Sequence, residues 1–217
     1  MKKIIGLSVF LLAGSVNAAT LLDENFDPIN ASDWTISNGG VRGAGNSEFF
    51  DGNALHFNGS GSRNANTIGF DLSSGGDVSF RLKIGGPNDT RFFEDADNRE
   101  DILFNYSIDN GSSWVNLFTF DTENPLYRDT WGLANFVLTS AASTANTMFQ
   151  WEQARHSGRR YDHWAIDDVV INNNILSGGN TSAVPEPSVI AFLGLSLLGL
   201  AGMQHQKKSL IVKQITA

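Results

Sequence analysis

Between residues 20 and 173 the chain sustains no helical period. Short runs of alternating apolar and polar residues are instead separated by clusters of Gly, Asn, Asp and Ser. Side chains that alternate with period two bury one face only as a β-strand. Eight such runs stand out: TLLDENF (20–26), ALHFNGS (54–60), DVSFRLKIGG (77–86), DILFNYSI (101–108), WVNLFTF (114–120), ANFVLTS (134–140), TMFQWEQA (147–154) and WAIDDVVI (164–171). In the third run Val78, Phe80, Leu82 and Ile84 share a face and are expected in the core, as are Trp151 and Trp164 in the last two. Strands at this spacing, in a chain with 22 glycines and 15 phenylalanines, predict an all-β fold: a jelly-roll β-sandwich of two antiparallel sheets.

One hairpin within this array carries a motif. SIDNGSSW (107–114) fits Ser-x-Asp-x-Gly-x-x-Trp, the Asp box of sialidases. A catalytic propeller repeats that box from blade to blade, and here it occurs once in 217 residues. The eight residues are therefore a turn. Asp109 is expected to accept hydrogen bonds from the turn's own amides, Gly111 to supply a positive φ, and Trp114 to fold back over the hairpin.

Charge narrows the choice of partner. Five lysines lie in the two end segments, whereas every Asp and Glu lies between residues 23 and 186. Between residues 20 and 187 there are ten basic and 23 acidic side chains, a balance of −13 against −8 for the whole chain. Such a body repels phosphate backbones, which argues against nucleic acid as a partner, and it favours hard cations such as calcium, a merely soluble acidic surface being the alternative. The absence of cysteine excludes disulfides and thiolate zinc sites.

Both ends read as addresses. Residues 1–18 combine Lys2 and Lys3, an apolar stretch and the small residues SVNAA, which together form a secretory signal peptide with the mature chain starting at Ala19. Domain 19–173 is followed by a polar linker, 174–184. Residues 185–217 hold Pro185-Glu186-Pro187, an apolar membrane span at 188–203 that predicts a C-terminal transmembrane helix, and a tail bearing Lys207 and Lys208. This order resembles the PEP-CTERM sorting signal. The resemblance implies an exosortase-type processing enzyme as partner and insertion in the inner membrane before processing. It also implies display at the surface of, or release from, a Gram-negative bacterium that makes exopolysaccharide. A plain C-terminal anchor is the other reading.

The body resembles a reelin-type repeat. ALHFNGSGSRNANTIGFDL, VSFRLKIGG, EDILFNYSIDNGSSWVNL and FQWEQARHSGRRYDHWAIDDVVI follow in that family's order, the closing segment being the most specific. Reelin repeats pair two units around a cysteine-bearing insert; this chain has one unit and no insert. The resemblance implies a jelly roll of about eleven strands, similar to carbohydrate-binding modules and MAM domains.

Glu24, Asp167 and Asp168 are carboxylates set in otherwise apolar strands, where an unpaired charge costs several kcal/mol. If the first and last strands lie side by side, Glu24 and one of the two aspartates can share an ion. Alternation places Trp164, Ile166 and Asp168 on one face, with Ala165, Asp167 and Val169 on the other. The resemblance favours Asp167, since the first Asp of the Ile-Asp-Asp triplet matches the family's calcium ligand, and Asp51 with backbone carbonyls would complete the shell. Hydrogen bonding of these carboxylates to turn amides is the competing explanation. His156 and His163, with Asp162 between, are expected to be structural or surface residues rather than a zinc or catalytic cluster, and DADNRED (95–101) a solvated loop. Tyr127 and Trp131 are candidates for a sugar-stacking platform, with packing at the core edge as the alternative.

These features predict an exported, calcium-stabilised module for adhesion or for association with exopolysaccharide or matrix proteins, without catalysis. A carbohydrate-active enzyme on the same scaffold, and a purely structural matrix protein, are the alternatives.

Overall fold

The computed structural model describes residues 16–43, 46–88 and 90–176. Most of the expected signal peptide, nearly all of the linker, Pro185-Glu186-Pro187, the expected span and the basic tail lie outside the described residues. Among those described, no helix is long and apolar enough to cross a membrane.

Eleven strands and one 3-10 turn (Ala31–Asp33) make up the described chain. They are β1 (Val16–Glu24), β2 (Trp34–Ser37), β3 (Gly39–Arg42), β4 (Ala54–Phe57), β5 (Arg63–Thr67), β6 (Gly76–Ile84), β7 (Ile102–Ser107), β8 (Val115–Phe120), β9 (Gly132–Val137), β10 (Met148–Gln153) and β11 (Trp164–Leu176). One sheet runs β3-β4-β11-β6-β9, with β1 also paired to β11; the other runs β2-β5-β10-β7-β8. All pairings between named strands are antiparallel. The two inner faces make a sandwich of jelly-roll type.

The expected alternation in β6 is present: Val78, Phe80, Leu82 and Ile84 are all fully buried. Opposite them, on the second sheet, Phe104, Phe149 and Trp151 are also fully buried, with Phe80 edge-on to Trp151 at 5.1 Å and to Phe104 at 5.0 Å. Trp164 stacks on Phe57 at 4.0 Å. Phenylalanine thus supplies most of the large side chains in the core, where each ring buries much area and adds directional contacts.

The hairpin at 107–114 is a turn held by its own side chains. The Asp109 carboxylate accepts from the Ser113 hydroxyl at 2.5 Å, the Ser107 hydroxyl at 2.7 Å and Ser113 N at 2.9 Å, and the two hydroxyl bonds hold its pKa down to about 2. Asn110 and Gly111 both have positive φ, and the Trp114 ring lies over Gly111.

β11 is the organising strand. One of its edges pairs with β6 along most of its length. The other edge serves two partners in turn: Trp164–Ile166 pair with β4, and Val169–Leu176 pair with β1. The first and last strands therefore do run side by side. Between the two partners the register slips, and Asp168 sits at φ 47°. This bulge corrects the expected alternation. Val169 lies in the same core cluster as Trp164, Ile166 and Ile171, while Ala165 packs in a second cluster with Phe49, Ala54 and Phe93.

Three strands were not expected. β2, β3 and β5 are short and polar, and they sit at or near sheet edges, where one buried position in two is enough. Truncating a β6 ring that packs against the facing sheet tests the packing. Phe80→Ala should destabilise the domain by about 3–5 kcal/mol, read as the midpoint shift in urea unfolding; a loss under about 1 kcal/mol would mean that this contact layer is not close-packed.

Candidate functional site

Of the acidic residues singled out from the sequence, Glu24 and the Asp167–Asp168 pair lie close along β11, where its pairing passes from β4 to β1. Glu24, the last residue of β1, is registered against Val169 and is buried. Its carboxylate accepts from Phe26 N at 2.8 Å, Asn30 N at 2.9 Å and Trp34 Nε1 at 3.3 Å. Those bonds shape the 25–30 turn, so the turn-amide explanation describes Glu24. Asp168 pairs with Arg81 at 3.1 Å on the partly exposed face, and Asp51 is exposed at φ 30°.

Asp167 is different. It is buried to 2% exposure, and its pKa is pushed up to about 8, first by burial and then by the charges of Asp168 and Asp27. Among the described residues, the one hydrogen bond it accepts comes from Asp168 N at 2.8 Å. Asp27, at the tip of the turn that Glu24 shapes, accepts from Asn53 N at 3.1 Å and from the Asn53 side-chain amide. Gly52 has φ 122°, and a Cβ there would run into the Asp27 carboxylate. A buried carboxyl raised by a neighbouring carboxylate is an oxygen pair that fits a hard cation. Asp167 and Asp27 are the candidates for such a pair, Asp27 also accepting from Asn53, while Glu24 is committed to the turn amides and Asp168 to Arg81.

A second constellation centres on Arg63, which opens β5 and is fully buried. All five of its N–H donors are used. Nε donates to Gly59 O at 3.0 Å; Nη1 to Gln153 Oε1 at 2.8 Å and to Asp162 O; Nη2 to Gly158 O and Tyr161 O, each at 2.8 Å. Burial lowers its pKa to about 10 against the charges of Asp162, Glu100 and Glu94, so it stays cationic. Three of those carbonyls belong to the loop between β10 and β11. The loop is closed further by Asp162, which is fully buried and accepts from Ser157 N and from Asp97 N at 3.3 Å, and whose own N–H donates to Glu94.

Asp97, Glu100 and Asp162 bring carboxylate oxygens within 4.8 Å of one another. Burial, and next the bond and charge of Asp162, raise Glu100 to about 7. The segment 95–101 is thus more than a solvated loop. Its tip is exposed, but Ala96 is fully buried and the Asp97 carbonyl accepts from Thr122 Oγ1 at 2.9 Å. Their sequence separation hid the trio, since Asp162 lies more than sixty residues from the other two.

The described histidines make hydrogen bonds within the fold. His156 Nε2 donates to Gly61 O at 2.7 Å while Nδ1 accepts from Gly158 N at 3.1 Å. His56 Nε2 and His163 Nδ1 both lie on Phe92 O, at 2.6 and 2.9 Å, with the two rings edge-on at 5.1 Å. Burial lowers both pKa values, that of His56 to about 3, so both rings are neutral at physiological pH.

Together the β10–β11 loop, the end of β3, Asn58 and the 90–94 segment enclose a cleft of about 530 Å³. Its lining includes Arg42, Arg91, Phe92, Arg159 and Arg160. Tyr127 and Trp131 stand elsewhere. Both are half-buried: Tyr127 packs edge-on to Phe120 at 4.9 Å, and Trp131 Nε1 donates to Glu48 O at 3.1 Å. Each is placed at a core edge.

Residues 39–172 match the family model described as Reelin subrepeat B. The K1 cleaved adhesin domain of Lys-gingipain from Porphyromonas gingivalis W83 has a similar structure, at 17% identity and a TM-score of 0.51, over 72% of this chain and 99% of that one. The K3 domain of the same protein follows at 18% identity and 0.48, with the same coverage. The C-terminal family 22 carbohydrate binding module of Clostridium thermocellum Xyn10B gives 11% and 0.46, over 71% and 94%.

Replacing the buried guanidinium tests the frame of the cleft. Arg63→Leu leaves several carbonyls unpaired and should cost about 3 kcal/mol or more. It should also open the 156–162 loop to trypsin at Arg159 and Arg160, read by limited proteolysis and mass spectrometry. Unchanged resistance to cleavage would show that the loop does not depend on Arg63.

Proposed function

For a chain that belongs to the reelin subrepeat B family, we propose an exported, non-catalytic binding module, stabilised by calcium and presented at a cell surface or in an extracellular matrix. Its work is adhesion or association with exopolysaccharide. The observation that supports this most directly is the cleft, a concavity of about 530 Å³ whose wall is fixed by the buried Arg63. That size lies within the range of small-ligand sites, about 300–1,000 Å³. Its lining is made of groups that hold a ligand: guanidinium donors, an amide and an aromatic ring.

Export rests on the reading of the two chain ends. The start at residues 1–18 directs secretion. Pro185-Glu186-Pro187, with the apolar run and lysines that follow, presents the tail to an exosortase-type enzyme in the inner membrane of a Gram-negative bacterium.

Calcium would be held by Asp27 and Asp167, with backbone carbonyls supplying further oxygens. Bound there, the ion supplies countercharge, tying the turn after β1 to the bulge of β11. Without a cation, the folded chain keeps a proton on Asp167 that the unfolded chain releases at an ordinary carboxylate pKa. Stability present below about pH 4 is then lost as pH climbs towards the folded value of about 8. A metal ion takes the proton's place and removes that loss. In EGTA, the melting temperature should therefore fall between about pH 5 and pH 8, and in millimolar calcium it should fall less. Asp167→Asn should reduce the fall in EGTA to the part that Glu100 contributes and abolish the response to calcium. Identical wild-type curves in EGTA and in calcium would dispose of the ion.

Glycan-array binding combined with turnover assays separates a binding module from a carbohydrate-active enzyme. Retention on glycans with no product formed is expected. Steady release of reducing ends would instead establish catalysis.

A further inference from the structure

We infer that the cleft recognises an acidic sugar: the carboxylate of a uronic-acid unit, held by guanidinium groups from three segments of the chain. This rests on the binding-module reading of the same cleft and adds to it the class of ligand.

The distribution of charge points that way. The body carries ten basic side chains against 23 acidic ones, yet four of the ten converge on one concavity: Arg42 from β3, Arg91, and Arg159 with Arg160 from the β10–β11 loop. Of the other six cations, Arg99 and Arg155 line a smaller cleft beside Asp101, and four have work within the fold. Arg63 is buried, Arg81 and Arg128 are in ion pairs, and Lys83 lies over the Phe93 ring. By contrast, the four cleft arginines are exposed and form no ion pair with any described residue. One carboxylate, Glu94, lines the same space, and its Oε2 accepts from Asp162 N. Gathering like charges in one place is unfavourable unless an anion joins them, and a low-dielectric wall strengthens the field that draws it in.

The loop that presents two of these arginines is built at some conformational expense. Arg160 sits at φ 72°, a region where a long L side chain is uncommon and glycine would be at ease. The fold holds it there through Arg160 N to Asn58 O at 3.0 Å and through Arg63, which grips the carbonyls on either side at Gly158 and Tyr161. A strained residue kept by its surroundings is a mark of use. Here that use is to aim a guanidinium.

The rest of the lining selects among anions. A guanidinium fork matches a carboxylate in a plane. Phe92 is half-buried in the wall, packed on Phe49, with the Arg91 guanidinium over its ring at 5.3 Å, so an aromatic group and a cation stand together where a pyranose would lie. Asn58 offers an amide to ring hydroxyls. Carboxylate, hydroxyls and an apolar ring face occur together on a uronic-acid residue. A nucleic acid strand, with charge at every phosphate, would meet the acidic remainder of the domain over most of its length.

Affinity electrophoresis of the full chain tests this, with native gels containing polygalacturonate, its methyl ester, neutral galactan or dextran sulfate. Polygalacturonate should retard the protein, while the methyl ester, which keeps the sugar and removes the charge, should retard it at least tenfold less. The double variant Arg159→Gln/Arg160→Gln should raise the dissociation constant for polygalacturonate at least tenfold with an unchanged melting temperature. Arg42→Gln, on a different strand, should repeat the loss and keep the test valid if the loop variant fails to fold. Equal retention of wild type and variants, equal binding of the ester, or equal retardation by dextran sulfate would each overturn carboxylate recognition. Binding to neutral galactan alone would do so while leaving the glycan-binding reading in place. Failure to bind any glycan, on the array as well as in these gels, would remove both.

Discussion

A guanidinium withdrawn from water is costly unless every donor finds an acceptor, and Arg63 satisfies that requirement with its own chain. Three of its acceptors are carbonyls of the β10–β11 loop, a fourth is Gly59 O, and the fifth is the side chain of Gln153. Desolvation and pairing are thereby coupled. The charge cannot be buried until the loop is in place, and the loop has few apolar contacts of its own to hold it. Asp162 from the β10–β11 loop, and Glu100 and Glu94 from the β6–β7 connection, supply the compensating charge. The result is a polar core beside the aromatic one, and the cleft is its outer surface.

The aromatic core was legible because its signal is local. Val78 to Ile84 alternates without interruption, and Trp151 and Trp164 stand in similar company, so two sheets with one shared interior follow from period alone. β2, β3 and β5 gave no such signal. WTIS, GGVR and RNANT are short and largely polar, and they become strands because neighbouring strands offer them hydrogen bonds. Nothing in the pattern distinguishes Arg63 from the surface arginines, since its acceptors come from residues 59 and 153–162 and only the fold brings them together.

The acidic junction was half legible. That carboxylates in the first and last strands would come close was readable from their setting, and the pairing of β1 with β11 provides it. Which carboxylates face each other was not. Glu24 looked like a ligand but spends its oxygens on the turn that follows it. Asp27, just past the alternating run of β1, lies in a turn that carries it to Asn53, and its charge acts on Asp167. The reversal of phase at Asp168 depends on a single residue in the left-handed region, and alternation rules assume that no such residue occurs.

The path of β11 has a mechanical meaning. His163 lines the cleft, and the next residue begins a strand that continues to Leu176 between β6 on one side and first β4, then β1, on the other. A pull exerted at the cleft and resisted at residue 176 runs along that strand's axis. Such a load shears the ladder rungs on both flanks together, where a perpendicular pull would peel them one after another. The domain is braced along the line joining its cleft to the end of its last strand.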